Sequence, residues 1–597
     1  MPTEVVMLCA DELETADLNF LKLSQFMGLN YRVVNFRNFT ANSRHLINEI
    51  TDDYPCVVTS CKTLATVLQA EAGSDRLESL LFKRASYLFV YGFWPSEYAD
   101  LTLRYVSDDR ISSMSAFDCF NHEYQVSSDF KDIARELSGI RFSPINNAID
   151  FSFDVALHPG DVSRIISIDK KPFFILINKQ NCNVFLAACK EVIDIDTKLS
   201  QDYSMATYFS QVVPSMMFLK YVCKDMCWHS KQTFANLTVD DPLLQERYGF
   251  LSYAKLLEIM DQREFTSTIA FIPWNFKRTS KGISELFRER PDKFTICMHG
   301  CDHTEGEFGS TDHKKLNYAT KIASERMRAH QKLTGVCFEK VIVFPQAIFS
   351  VEAMQILKYN DFLAAVNSSA MATSLEQDKP RISDCLDAAM MHYEGFPLFT
   401  RRQLTKIPEL AFDAFVGKPL LVEAHHHDFK DGYDQIGNHI ARINLLVDNV
   451  QWKALGDTLR RTNMVKTEAD GSILYRIYTT EALIENDTEQ MAKYMIIRYE
   501  SNSVPIERVL VNGENTPYDI ENNYLRFALD IEAGQSVNVK VIYEDNTLSL
   551  QENKNPADSV MVCIRRHASE FRDNYLSRND SLLGILRRVK NMVVCPH

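Results

Sequence analysis

The chain has 597 residues, 46% of them hydrophobic and 24% charged, with a formal net charge of −14. These are ordinary globular proportions, which exclude a disordered, collagen-like or coiled-coil chain and leave room for roughly four domains. The acidic balance argues against a broad electrostatic grip on nucleic acid, and no apolar run reaches the ~20 residues of a transmembrane segment.

The N-terminal stretch MPTEVVMLCADELETAD has acids where a secretory leader needs Lys or Arg. Fourteen cysteines lie scattered without a repeating frame, as buried thiols do in a reducing compartment. A cytoplasmic location is expected.

Residues 1–195 alternate short β-rich runs (Val5–Cys9, Arg32–Phe36, Cys56–Ser60, Tyr87–Tyr91) with amphipathic helical segments. That alternation predicts a flavodoxin-like or amidotransferase-like parallel α/β sheet. The acidic turn Asp11-Glu12 suggests a phosphoacceptor, but the third strand ends in Thr59-Ser60 and not in Asp, so that reading fails. No P-loop, GxGxxG, HExxH or GxSxG occurs anywhere. The segment Met205–Tyr221 reads as a helix with a break or kink at Pro214. Cys223, Cys227 and His229 have no second Cys/His pair at a zinc-site distance and read as core.

Strand–helix alternation resumes over 196–460, and four polar clusters punctuate it. Asp240-Asp241 ends a strand; paired carboxylates there can divide metal ligation from proton handling, or cap the next helix. A strand at Phe294–Met298 runs into His299-Gly300-Cys301-Asp302-His303. Histidines four apart share a face if the chain turns helically, and two imidazoles with a carboxylate leave a coordination position for water. The alternative is a pair of surface histidines. Asp302, Glu305 and Glu307 stand nearby as acceptors for the imidazoles. The third cluster is Val343-Phe344-Pro345-Gln346, a strand breaking at proline, and the fourth is Val422-Glu423-Ala424 leading into His425-His426-His427-Asp428.

Beyond Trp452 the texture changes. Residues 461–550 carry dense short strands separated by turns such as Asn512-Gly513, which predicts a small antiparallel β-sandwich. Residues 551–597 read as a basic helical tail with Arg565, Arg566, Arg572, Arg578, Arg587, Arg588 and Lys590. It either makes a peripheral membrane contact or straps back onto the acidic body.

The order and punctuation of the four clusters resemble the NodB-type polysaccharide deacetylases, carbohydrate esterase family 4, over about residues 235–430. The resemblance implies a distorted (β/α) barrel between the N-terminal sheet and the sandwich, in a multidomain α/β protein. It implies a divalent metal, zinc first and Co2+, Ni2+ or Fe2+ as alternatives, held by Asp241, His299 and His303. Asp240 becomes the general base and His425 or His426 the general acid, with His425 preferred because it directly follows the strand. Phe344 and Pro345 fall beside the substrate, and Trp274, just past a barrel strand, is placed to stack on a sugar or to anchor its loop.

The chain departs from the family at three points. Gly300 replaces the Ser/Thr of the histidine motif, Phe344 stands where the arginine that tethers the base is expected, and the fourth, Asp/Trp-containing motif has no counterpart. The activity implied is removal of acetyl groups from an N- or O-acetylated sugar or polysaccharide precursor. Two alternatives remain: hydrolysis of another non-peptide C–N bond, and a decayed barrel that binds glycans or organises polysaccharide assembly.

Overall fold

The computed structural model describes residues 4–35, 56–70, 82, 85–117, 122–144, 150–155, 162–202, 204–304, 306–373, 379–501, 503–544 and 556–578. Glu305 and the basic residues Arg587, Arg588 and Lys590 lie outside them.

The N-terminal sheet is parallel over half its width. Tyr31–Asn35, Val5–Cys9, Cys56–Ser60, Tyr87–Tyr91 and Cys182–Ala187 run parallel in that order. Lys171–Lys179, Val162–Ile168, Tyr124–Val126 and Arg141–Phe142 then continue it antiparallel. The fully parallel sheet read from strand–helix alternation is corrected there, because tight turns such as Asp169-Lys170, both at positive φ, return the chain directly.

Met205–Cys223 is one continuous helix despite Pro214. Val212, Val213, Met216 and Met217 are buried beside the proline, so packing on both sides offsets the lost backbone hydrogen bond, and of the kink or break expected there the break does not occur. Cys223 and Cys227 are buried in the same core as the N-terminal sheet and the barrel. Trp228 N–H donates to the Met27 carbonyl at 2.8 Å and Lys466 Nζ, on the C-terminal strand Met464–Thr467, to that of Gly28 at 2.7 Å, tying both segments to the end of the helix Thr15–Phe26.

The central sheet is parallel throughout. Its order is Leu398–Thr400, Ala364–Asn367, Phe338–Val343, Phe294–His299, Ser267–Phe271, Phe234–Asp240, Leu420–His425 and Arg402–Gln403, with Gln451–Trp452 beside Phe234–Asp240. Its first and last members are separated in sequence by Arg401 alone. One bent segment, Leu398 to Gln403, therefore pairs with both ends of the sheet and closes it into a barrel. Phe234–Asp240 and Ser267–Phe271 are buried at every position, as strands covered on both faces must be. Helices such as Tyr253–Arg263, Lys281–Glu289 and His313–Thr334 follow the strands, and Ser280 and Asp312 accept backbone N–H groups at two of their N-termini.

The C-terminal strands form two sheets around a shared core that includes Tyr494, Ile496, Val509, Leu525 and Val539. Asn512 and Gly513, both at positive φ, make the two-residue hairpin between Ile506–Val511 and Glu514–Thr516. One pair, Ile473–Arg476 with Ala492–Tyr499, is parallel, a departure from the expected all-antiparallel pattern. Lys358 Nζ lies 2.9 Å from Glu500 Oε2, both side chains buried, where the sandwich meets the barrel helix Val351–Tyr359.

Glu339, on the strand Phe338–Val343, is pushed up to about 7 by burial, against the pull of the Gly456 N–H and Arg460. The ordinary carboxyl value is 4.5, so between that pH and about 7 the folded chain holds this proton more tightly than the unfolded chain. Stability contributed here falls as pH rises through that window. Glu339→Gln is expected to raise the thermal midpoint by a few degrees at pH 8 and to change little at pH 5. Equal shifts at both pH values in differential scanning calorimetry would remove the ionised carboxylate as the cause.

Candidate metal centre

Asp240 is the last residue of the strand Phe234–Asp240, and Asp241 follows at φ +76. Successive strand side chains point to opposite faces. The left-handed turn at Asp241 cancels that alternation and brings two adjacent carboxylates to one site.

Two barrel strands away, Phe294–His299 delivers His299. The loop after it is not helical. Gly300 has φ +63 and His303 φ +56, so the two imidazoles converge through left-handed turns and not through a helical turn. Glu307 builds the loop. Its carboxylate accepts the N–H groups of Cys301 at 2.7 Å, Asp302 at 3.1 Å, His303 at 3.2 Å and Thr304 at 3.3 Å. A Cβ at position 300 would meet Glu307 Oε1 at 1.9 Å. Glycine at this position is what the carboxylate requires.

His299 Nδ1 lies 3.0 Å from the Val343 carbonyl oxygen, an interaction that fixes the ring with Nε2 toward the site. His299 Nε2 and His303 Nε2 lie 3.3 and 3.0 Å from Asp241 Oδ1, yet that buried oxygen has no hydrogen-bond partner. One carboxylate oxygen and two imidazole nitrogens all fall within 4.8 Å of one another. Such a donor set, with a carboxylate oxygen left over from hydrogen bonding, fits a zinc-like divalent ion. Burial raises the Asp241 carboxyl, but His299 and His303 outweigh it and hold it well below the ordinary range.

The arginine absent at Phe344 arrives from elsewhere. Arg401, at the midpoint of the barrel-closing segment, donates from Nη1 to Asp240 Oδ1 at 2.7 Å and from Nη2 to Asp240 Oδ2 at 2.5 Å. Its Nε faces Glu423 Oε2 at 3.2 Å, and Ser368 Oγ donates to that carboxylate. Burial raises the Asp240 carboxyl, while Arg401, His299 and His425 bring it below its ordinary value. His425 closes the arc. It ends the strand Leu420–His425 in register with Asp240, and its Nε2 lies 3.9 Å from Asp240 Oδ2.

Other candidate residues lie differently. His426 points away from Asp240: its Nε2 is 3.6 Å from Asp573 Oδ1 on the C-terminal helix, and its ring packs edge-on to Tyr248. A Cβ at position 249 would meet His426 Nδ1 at 2.3 Å, so Gly249 makes room for it. Phe344 is wholly buried against Phe308 and Phe349, and Pro345 is buried beside Gly300. Both belong to the core under the site, and Gln346 is the residue of this turn that lines the cavity. Trp274 packs edge-on to His567 of the C-terminal helix and carries Arg278 over its ring. It is a loop anchor here and not part of the cavity lining. Asp302 pairs with Arg326, and Glu307 with backbone, so neither accepts from an imidazole as expected.

The residues missed from sequence share one property: their roles are set by distant partners. Arg401 lies 161 positions from Asp240. The available signal was its position just past a strand of the sheet, Leu398–Thr400, where strand ends build such sites.

No protein-family model and no curated protein matches the chain. Among solved structures it is similar to Agd3, described as a novel carbohydrate deacetylase, with a TM-score of 0.45 and 9% identity over 90% of this chain and 98% of that one. It is similar as well to a family 4 carbohydrate esterase from Bacillus anthracis, with a TM-score of 0.24 and 14% identity over 39% of this chain and 86% of the other. A family 4 carbohydrate esterase from Streptomyces lividans in complex with acetate matches with a TM-score of 0.22 and 12% identity, over 36% of this chain and 87% of that one.

Proposed function

We propose that the chain is a metal-dependent hydrolase that removes an acetyl group from an N-acetylated (or O-acetylated) sugar. The observation that carries this reading is the convergence at one barrel mouth of Asp241, His299 and His303 with a buried Asp240 clamped by Arg401. Asp241, His299 and His303 would hold the ion, which supplies a Lewis acid and lowers the pKa of water when bound.

The other groups divide the proton handling. Arg401 keeps Asp240 ionised and fixed in orientation, so its carboxylate accepts the proton of the attacking water. His425, 40% exposed at the mouth and beside Asp240, donates a proton to the departing amine or alcohol. The decayed-barrel alternative rested on Phe344 in place of arginine. With Arg401 in that role, no observation favours it.

Metal content per chain, measured by mass spectrometry on identically purified wild type and His303→Ala, tests the reading. About one transition-metal ion per wild-type chain is expected, with little in the variant. An absence of metal in both, even after incubation with excess zinc or cobalt, would overturn it.

A further inference from the structure

The C-terminal helix Pro556–Asn574 lies across the barrel mouth. Tyr248 Oη donates to Asp573 Oδ2 at 2.7 Å, the Gly249 N–H to Asn574 Oδ1 at 2.7 Å, and Arg278 Nη2 to Glu570 Oε2 at 2.7 Å. Between helix and barrel is a cavity of about 290 Å3, at the small end for a bound ligand. Asp241, His303 and Gln346 line its floor, and its roof sets Arg565, Arg566 and Arg572 against the single carboxylate of Asp573, which pairs with Arg572. The roof is cationic in a chain whose formal net charge is −14, so the cluster runs against the overall field.

Arg566 is the informative member. It is 4% exposed, its Nε has no hydrogen-bond partner, and no carboxylate pairs with it among the described residues. The other buried or half-buried arginines nearby are paired: Arg278 with Glu570, Arg401 with Asp240. A guanidinium cannot shed its proton, and a buried charge without a counter-charge is strongly disfavoured. Desolvated arginine is also the side chain best suited to carboxylate and phosphate oxygens.

We infer that the substrate carries an anionic group, a phosphate or a carboxylate, which Arg566 holds in this cavity with Arg565 and Arg572 at its rim. The acetylated-sugar part of this statement rests on the proposed hydrolase reading; the anion part rests on the cavity.

Titration calorimetry on the full chain, with N-acetylglucosamine, N-acetylglucosamine 6-phosphate, N-acetylmuramic acid and inorganic phosphate, tests it. At least one of the two charged sugars is expected to bind about tenfold tighter than the neutral one, and whichever does identifies the anion. Arg566→Gln is expected to remove about that tenfold while leaving neutral-sugar affinity and metal content unchanged. If Arg566→Gln does not fold, Arg572→Gln, at an exposed position, should weaken the same charged ligand by about threefold. Charged sugars that bind no better than the neutral one, or a charged-sugar affinity unmoved by the variant that folds, would overturn the inference. The two readings fail separately. Tight binding of a charged sugar with no acetate released upholds the anion site against the hydrolase, and equal acetate release from neutral and charged sugars does the reverse.

Discussion

Asp240→Asn is expected to lower turnover of an acetylated sugar roughly 10^3-fold while leaving metal content at the wild-type value. The two parts separate because Asp241, not Asp240, stands within reach of both imidazole nitrogens. Asparagine keeps the size of the side chain and one oxygen for Arg401, while its NH2 meets the second guanidinium nitrogen donor to donor, so the loss of proton acceptance comes with a loosened grip. Acetate release followed by a coupled assay, together with metal analysis on the same sample, reads both. Full activity in the variant would remove Asp240 as the base, and lost metal would make it a ligand.

Arg401→Met is expected to cost about 3–5 kcal/mol of stability and to lower turnover by roughly 10^2-fold or more. Asp240 is 3% exposed and Arg401 4%. Removing the guanidinium takes from a buried carboxylate its two-pronged partner and leaves only His299 and His425 to balance it, and Glu423 loses its ion partner as well. Arg401→Lys separates the two consequences. Lysine restores the charge but not the two-pronged grip, so stability should recover further than activity. Denaturant unfolding and acetate release on the three proteins check this. If the lysine variant were fully active, charge alone, without the bidentate geometry, would be enough.

The parts of the site that were legible in the sequence are the parts fixed by short-range spacing. Asp240 and Asp241 adjoin, His299 and His303 stand four apart, and each group follows an apolar run long enough to be a buried strand. Arg401 had no such signature. Its role depends on the sheet's curling until Leu398–Gln403 meets both ends, which is a property of strand register and not of neighbours in sequence. The same reason hid where the C-terminal helix docks. The helix and its basic residues were readable, but Tyr248 and Asp573 are 325 positions apart. Phe344 misled for a local reason: its ring turns into the aromatic cluster of Phe308 and Phe349 and not toward the mouth. In the N-terminal sheet, strand positions were readable from β-branched runs, whereas direction was not, because period-two patterning is the same in parallel and antiparallel strands.

The segment Leu398–Gln403 also ties closure of the barrel to assembly of the site. Thr400 is in register with Asn367 on one side and Arg402 with Val422 on the other, which leaves Arg401 no freedom to slide. A one-residue insertion here would advance the guanidinium by about 3.3 Å and turn it to the opposite face. A chain whose barrel has not closed has no anchored carboxylate at Asp240, so on the proposed reading closure and competence arrive together. The seam of the barrel is thus its safety catch.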